Sequence, residues 1–108
     1  ANLYNEKIRN SFVKPIIDQD TYDVYHIYNI RHNKRDELKE YLLKNNVKTE
    51  IHYPVSPNKQ LALKGFFDNT NFPISEKIHE TTLSLPISFF HTKEDILHVI
   101  DLLNDFEE

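Results

Sequence analysis

The chain has 108 residues, 39% of them apolar and 28% charged, with seven phenylalanines and six tyrosines. That composition suits one globular domain and is too apolar for a disordered chain. A net charge of −4 leaves no basic footprint for nucleic acid, the lack of cysteine excludes disulfides and thiolate metal sites, and a single glycine, Gly65, excludes a glycine-rich phosphate loop.

Residues 2–12 are predicted to form a short helix with Leu3, Ile8 and Phe12 as its apolar positions. With the polar stretch that follows, residues 1–20 read as a lead-in to an αβ core over 21–108, the whole making one domain. Residues 22–31 (YDVYHIYNIR) are rich in Tyr, Ile and Val and predict a strand, with Tyr22, Val24, Tyr28 and Ile30 on one face and Tyr25 and Ile27 on the other. Residues 34–45 predict a helix: Asn33 is the expected N-cap, Asp36 and Glu37 fall in the first turn, and Leu38, Tyr41 and Leu42 form the stripe. Asn46 suits the left-handed residue that stops it.

Residues 47–53 (VKTEIHY) alternate, so Val47, Thr49, Ile51 and Tyr53 are expected on one face of a strand and Lys48, Glu50 and His52 on the other, with Pro54 ending it. A short helix is expected within 58–66. Another is expected over 73–81, with Pro73 near its first position and Ile74 and Ile78 as its stripe. Residues 82–86 (TLSLP) read as a short strand. Thr92 and Asp95 resemble a capping box opening a strong amphipathic helix through Ile96, Val99, Ile100, Leu103 and Phe106. The order predicts a small α/β or α+β domain, a three- to four-stranded sheet packed with helices.

No apolar run of about 18 residues is present to span a bilayer. Residues 1–11 lack the apolar core of a signal peptide, and the chain reads as cytoplasmic. The six histidines, at 26, 32, 52, 79, 91 and 98, show no spacing that predicts a metal site. No serine sits in a nucleophile elbow, and most carboxylates fall on helix faces open to solvent. The one chemically distinctive spot is Glu50-Ile51-His52-Tyr53-Pro54, which puts an imidazole and a phenol at a strand end before a stiff loop. Small-molecule sites favour such ends.

Three stretches around that spot, Val24–Arg31 (VYHIYNIR), Val47–Pro54 (VKTEIHYP) and Phe72–Pro86 (FPISEKIHETTLSLP), carry a resemblance. With His26 and Tyr28, Arg35-Asp36-Glu37-Leu38, His52-Tyr53-Pro54, Phe72-Pro73 and Leu83-Ser84-Leu85-Pro86 in order, the chain resembles the C-terminal part of the DegT/DnrJ/StrS sugar-nucleotide aminotransferases from about Leu3 to Phe106. These are pyridoxal-phosphate (PLP) enzymes of the aspartate-aminotransferase fold. The resemblance implies that the chain is the small domain of a larger homodimeric enzyme. A preceding domain of the same polypeptide would then hold PLP, and this piece would bind no cofactor and have no transaminase activity by itself.

By the same resemblance, the domain closes over a keto-sugar nucleotide during amino transfer from glutamate, in the route to surface polysaccharides such as lipopolysaccharide. His52 and Tyr53 approach the hexose. His26, Tyr28 and the LSLP stretch are expected to be structural. Many relatives have P-x-H after the HYP motif; here Asn58 stands in place of that histidine, as an accessory contact that cannot titrate. That departure suggests a subfamily making 3-amino-3,6-dideoxyhexoses on a thymidine nucleotide. The competing expectations are a self-standing small-molecule-binding or regulatory α/β domain without catalysis, and a protein interaction module.

Overall fold

The computed structural model describes residues 1–107. Four helices surround a two-stranded antiparallel ribbon: α1 (Asn2–Lys7), β1 (Tyr28–Arg31), α2 (Arg35–Lys44), α3 (Pro73–Thr81), β2 (Thr82–Leu85) and α4 (Lys93–Asp105). The register pairs Tyr28 with Leu85, Asn29 with Ser84, Ile30 with Leu83 and Arg31 with Thr82. Directly paired residues share a face. Tyr28, Ile30, Leu83 and Leu85 therefore form one apolar face, and all four are buried.

The core is completed by Tyr4, Ile8 and Phe12, by Leu38 and Leu42 of α2, and by Val99, Ile100, Leu103 and Phe106 at the α4 end. The 2–12 segment is thus part of the core, although its helix stops at Lys7. The Tyr4 phenol donates to Pro86 O at 2.7 Å, and the Tyr28 phenol donates to Asn5 Oδ1 at 2.6 Å. Burial pushes the Tyr28 phenol up to about 12. At the other end of the chain, Asn104 accepts from Arg9 N and donates to Lys7 O, both at 2.9 Å.

The sheet is narrower than the sequence suggests. A strand is expected over 22–31, but pairing begins at Tyr28, because Ile27 would face Pro86, which has no N–H to give. Tyr22 and Val24 are exposed, and Tyr25 has a φ of 48°. The expected strand 47–53 is reduced to one bridge between Glu50 and Ser84, and a bridge between Val13 and Arg31 sits on the opposite edge. The three- to four-stranded sheet is therefore a two-stranded ribbon with a single bridge on each side. The alternation within 47–53 holds for Val47 and Thr49, which are buried, and for Lys48 and Glu50, which are exposed. It fails at Tyr53, which faces solvent.

Helix α2 starts one residue late, with Lys34 rather than Asn33 at the N-cap position and no side-chain cap. Asn46 does adopt the left-handed conformation, at φ 64°. The expected 58–66 helix is two short 3-10 turns, Pro57–Lys59 and Leu61–Leu63. Helix α3 begins at Pro73, but its Ile74 and Ile78 stripe is exposed. Helix α4 has the expected capping box: Thr92 Oγ1 accepts from Asp95 N, and Asp95 Oδ2 accepts from Thr92 N. Among the described residues, no helix is long and apolar enough to cross a membrane.

Candidate functional site

The ribbon's second face is polar, and the site is built on it. Asn29 and Ser84 are cross-strand partners on this face. The Glu50 bridge to Ser84 (Glu50 N to Ser84 O, 3.2 Å; Ser84 N to Glu50 O, 2.8 Å) brings the next segment alongside. Two residues further on, His52 reaches back to the same serine. His52 Nδ1 lies 2.8 Å from Ser84 Oγ, and Ser84 Oγ donates to Asn29 Oδ1 at 2.5 Å.

This relay assigns the histidine tautomer. A hydroxyl has one proton. With that proton given to Asn29, Ser84 accepts from His52, so Nδ1 carries the hydrogen, and in the uncharged tautomer Nε2 is the acceptor. Ser84 is buried and held in the ladder, so the imidazole is anchored at one nitrogen.

His52 and Ser84 line a cavity of about 320 Å³ together with His26, Lys48, Glu50 and His91. That size is at the small end for small-molecule sites. Lys48 Nζ and Glu50 Oε1 stand 3.7 Å apart at its exposed edge. His91 Nδ1 is 2.7 Å from Ser88 Oγ. The cavity offers hydrogen-bond donors and acceptors suited to a polyhydroxylated ligand, with no nucleophile activated by a base. Among the described residues, no group of three or more His, Cys, Asp or Glu side chains is placed to hold a metal ion.

Tyr53 is next to His52, its ring edge-on to the imidazole at 5.4 Å, and it is 64% exposed. The His52–Tyr53 peptide is cis. The Tyr53 carbonyl is 2.5 Å from His79 Nδ1, which ties this turn to α3. Asn58 lies elsewhere. It borders a separate cavity of about 420 Å³ with Lys59, Thr70 and Glu76. Its amide donates to Glu76 Oε1 at 2.9 Å, and Lys59 pairs with Glu76 Oε2 at 3.0 Å. The Asn58 amide, then Lys59 and the Phe72 N–H, hold the Glu76 carboxyl below the usual carboxylate range.

His52 and Tyr53 are thus in ring contact, but Tyr53 does not line the His52 cavity, and Asn58 borders a different one. Sequence reasoning treated His26 and the LSLP serine as structural, yet both line the His52 cavity, as does His91. The 84↔29 register that creates the relay has no signal in spacing alone.

The family model for the DegT/DnrJ/EryC1/StrS aminotransferases matches residues 1–104. The dTDP-3-amino-3,6-dideoxy-alpha-D-galactopyranose transaminase of Aneurinibacillus thermoaerophilus is 36% identical over 107 residues, which is 98% of this chain and 29% of that protein. The dTDP-3-amino-3,4,6-trideoxy-alpha-D-glucose transaminase of Streptomyces venezuelae is 32% identical over 87% of this chain and 25% of its own length. The solved structure of S. venezuelae DesV in complex with a ketimine intermediate superposes with a TM-score of 0.91 at 28% identity, covering 96% of this chain and 29% of that one. A second, an aminotransferase from Brucella abortus at 24% identity, shares the fold with a TM-score of 0.85 over 94% of this chain and 28% of its own. The chain spans between a quarter and three-tenths of the length of each of these relatives. With the family pattern matched over nearly all of it, the chain belongs to the DegT/DnrJ/EryC1/StrS aminotransferase family.

Proposed function

We propose that residues 1–108 act as one domain, the C-terminal substrate-capping part of a PLP-dependent aminotransferase that converts a keto-sugar nucleotide to an amino-sugar nucleotide. Glutamate is the amino donor, the work is cytoplasmic, and the product serves surface polysaccharide synthesis. The larger remainder of the polypeptide holds PLP and forms most of the homodimer contact. A thymidine-linked 3-amino-3,6-dideoxyhexose is the favoured product, a reading supported by the name of the relative that is 36% identical.

The observation that carries this is the anchored His52. With Nδ1 fixed by Ser84, Nε2 is set to accept from a sugar hydroxyl. Tyr53, exposed beside it, offers a ring to stack on the hexose or a phenol to bond it. Such contacts orient the reacting carbon.

PLP supplies the electron sink when bound, and we assign it to the remainder of the polypeptide, because six of the ten lysines here are engaged with other groups. An imine-forming lysine needs desolvated surroundings or a neighbouring cation. Here Lys14 and Lys39 donate to backbone carbonyls, and Lys34, Lys44, Lys48 and Lys59 pair with carboxylates at the surface. Gly65 sits in an exposed turn. No step through the cofactor is therefore assigned to these residues.

Two measurements test the reading. PLP titration of this chain with borohydride trapping and intact mass is expected to give no lysine adduct; a saturable adduct on one lysine overturns the division of labour. In the longer polypeptide, His52→Asn is expected to lower kcat/KM for the keto-sugar nucleotide about tenfold, the worth of one well-placed hydrogen bond. An unchanged kcat/KM removes His52 from the substrate site.

A further inference from the structure

A second cavity opens beyond the other end of β1 from the His52 site. It measures about 290 Å³, is lined by Arg31, His32, Lys34 and Lys77 with Ser11 and Asn33, and shares no lining residue with the His52 cavity. Three cationic residues line it and no carboxylate does, in a chain whose net charge is −4.

The three arginines are used differently. Arg35 is buried and donates from Nη1 to His79 O and Thr82 O, each at 3.1 Å. Arg9 donates to Asn104 O and Phe106 O. Both guanidinium groups hold the fold together. The Arg31 guanidinium makes no hydrogen bond or ion pair among the described residues, and neither does Lys77 Nζ. Lys34 Nζ lies 4.0 Å from Glu37 Oε2, both at the surface.

Yet the Arg31 backbone is fixed on both sides. Its N–H donates to Val13 O at 2.9 Å, its carbonyl accepts from Val13 N at 3.1 Å, and it pairs with Thr82 across the ribbon. A rigid strand thus presents an unengaged planar fork of donors, the geometry that suits two oxygens of one oxyanion. Helix α2 starts at the rim. The Lys34 side chain makes no capping hydrogen bond, the Lys34 N–H donates to His32 Nδ1 at 3.1 Å, and Asn33, the residue expected to cap the helix, borders the cavity. The positive end of the helix adds to the same field.

We propose that this cavity is a phosphate-oxyanion site, with Arg31 as the bidentate anchor and Lys34 and Lys77 as flanking charges. Its volume, just under the roughly 300–1,000 Å³ of drug-sized pockets, matches a phosphate group with its water. The phosphate is either inorganic or the terminal group of a nucleoside diphosphate. The phosphate site itself needs no cofactor and no turnover, while the choice of dTDP as the nucleotide rests on the proposed aminotransferase function.

The test is a titration of the protein with inorganic phosphate and, separately, with dTDP, at constant ionic strength, followed by amide NMR shifts and calorimetry. Saturable shifts in residues 31–36 and 77 are expected. Arg31→Gln should weaken binding about tenfold or more, equivalent to about 1.4 kcal/mol. Lys77→Gln should weaken it less, and Lys93→Gln, outside the cavity, should leave it unchanged. The pairings of Arg31 are made by its backbone, so the variant keeps its strand, and Lys77→Gln on exposed α3 is a second reporter. Equal loss for both ligands, with dTDP the tighter, marks a nucleotide as the occupant; equal affinities mark free phosphate. Shifts that rise linearly with ligand, or that Arg31→Gln and Lys77→Gln leave intact, overturn the proposal.

Discussion

Helices α3 and α4 are both amphipathic, yet only one of them buries its apolar side. In α4, Val99, Ile100 and Leu103 are buried against the rest of the core, and a capping box closes the first turn. In α3, Ile74 is 78% exposed, and Phe72, at its N-cap, provides no side-chain cap. What α3 contributes is polar. Its Glu76 holds Asn58 and Lys59, its His79 holds the Tyr53 carbonyl, and its last turn gives a carbonyl to Arg35. One helix stabilises the core; the other positions the loop that follows His52. An apolar stripe states what a helix could bury, while the cover must come from elsewhere in the chain.

The contrast can be broken by substitution. Leu103→Ala is expected to cost about 3 kcal/mol through lost burial and a cavity, whereas Ile74→Ala should stay within about 0.5 kcal/mol. Urea midpoints of the two variants decide this, and equal shifts would erase the distinction. Next in size, Arg35→Met should cost about 2 kcal/mol, because the His79 and Thr82 carbonyls lose a charged donor. Thr92→Ala should cost about 1 kcal/mol by opening the α4 cap, seen as a lower Tm without loss of the core's helical signal.

The smallest effect is the pH dependence. The Thr92 backbone N–H, then its side chain, hold the Asp95 carboxyl below its usual range. Its folded value is thus below its unfolded one. The stabilisation is complete above the ordinary carboxylate range and is lost as pH falls through that range towards the folded value. Glu76 follows the same sign. Melting temperatures measured from neutral to acid pH should fall less steeply in Asp95→Asn than in the parent; an identical slope would detach the cap from the titration.

Much of this architecture was legible in the residues. Local signals sufficed for α2, for the Pro73 start of α3, for the Thr92–Asp95 box and for the left-handed Asn46. Pairing was less legible, because a strand needs a partner of matching length. β2 offers only Thr82–Leu85 before Pro86, so the Tyr- and Val-rich 22–27 segment has no ladder to join. Likewise Lys39 takes the Thr49 carbonyl at 2.7 Å, and only Glu50 of its segment bridges to the ribbon. Of the candidate site, His52 and Tyr53 stood out as polar groups at a segment end before a proline. Ser84 and Asn29 did not, since their meeting depends on a register between residues 55 apart.

The clasp between the first and last helices sets an order of assembly. Asn104 and Lys7 are joined across 97 positions, and Tyr4 reaches Pro86 across 82. During synthesis α1 emerges ahead of Tyr28, which can meet Asn5 early, but its Pro86 and Asn104 partners follow only near the end. Its six residues are too few to remain helical alone. The clasp between these two helices therefore closes late, once α4 is available.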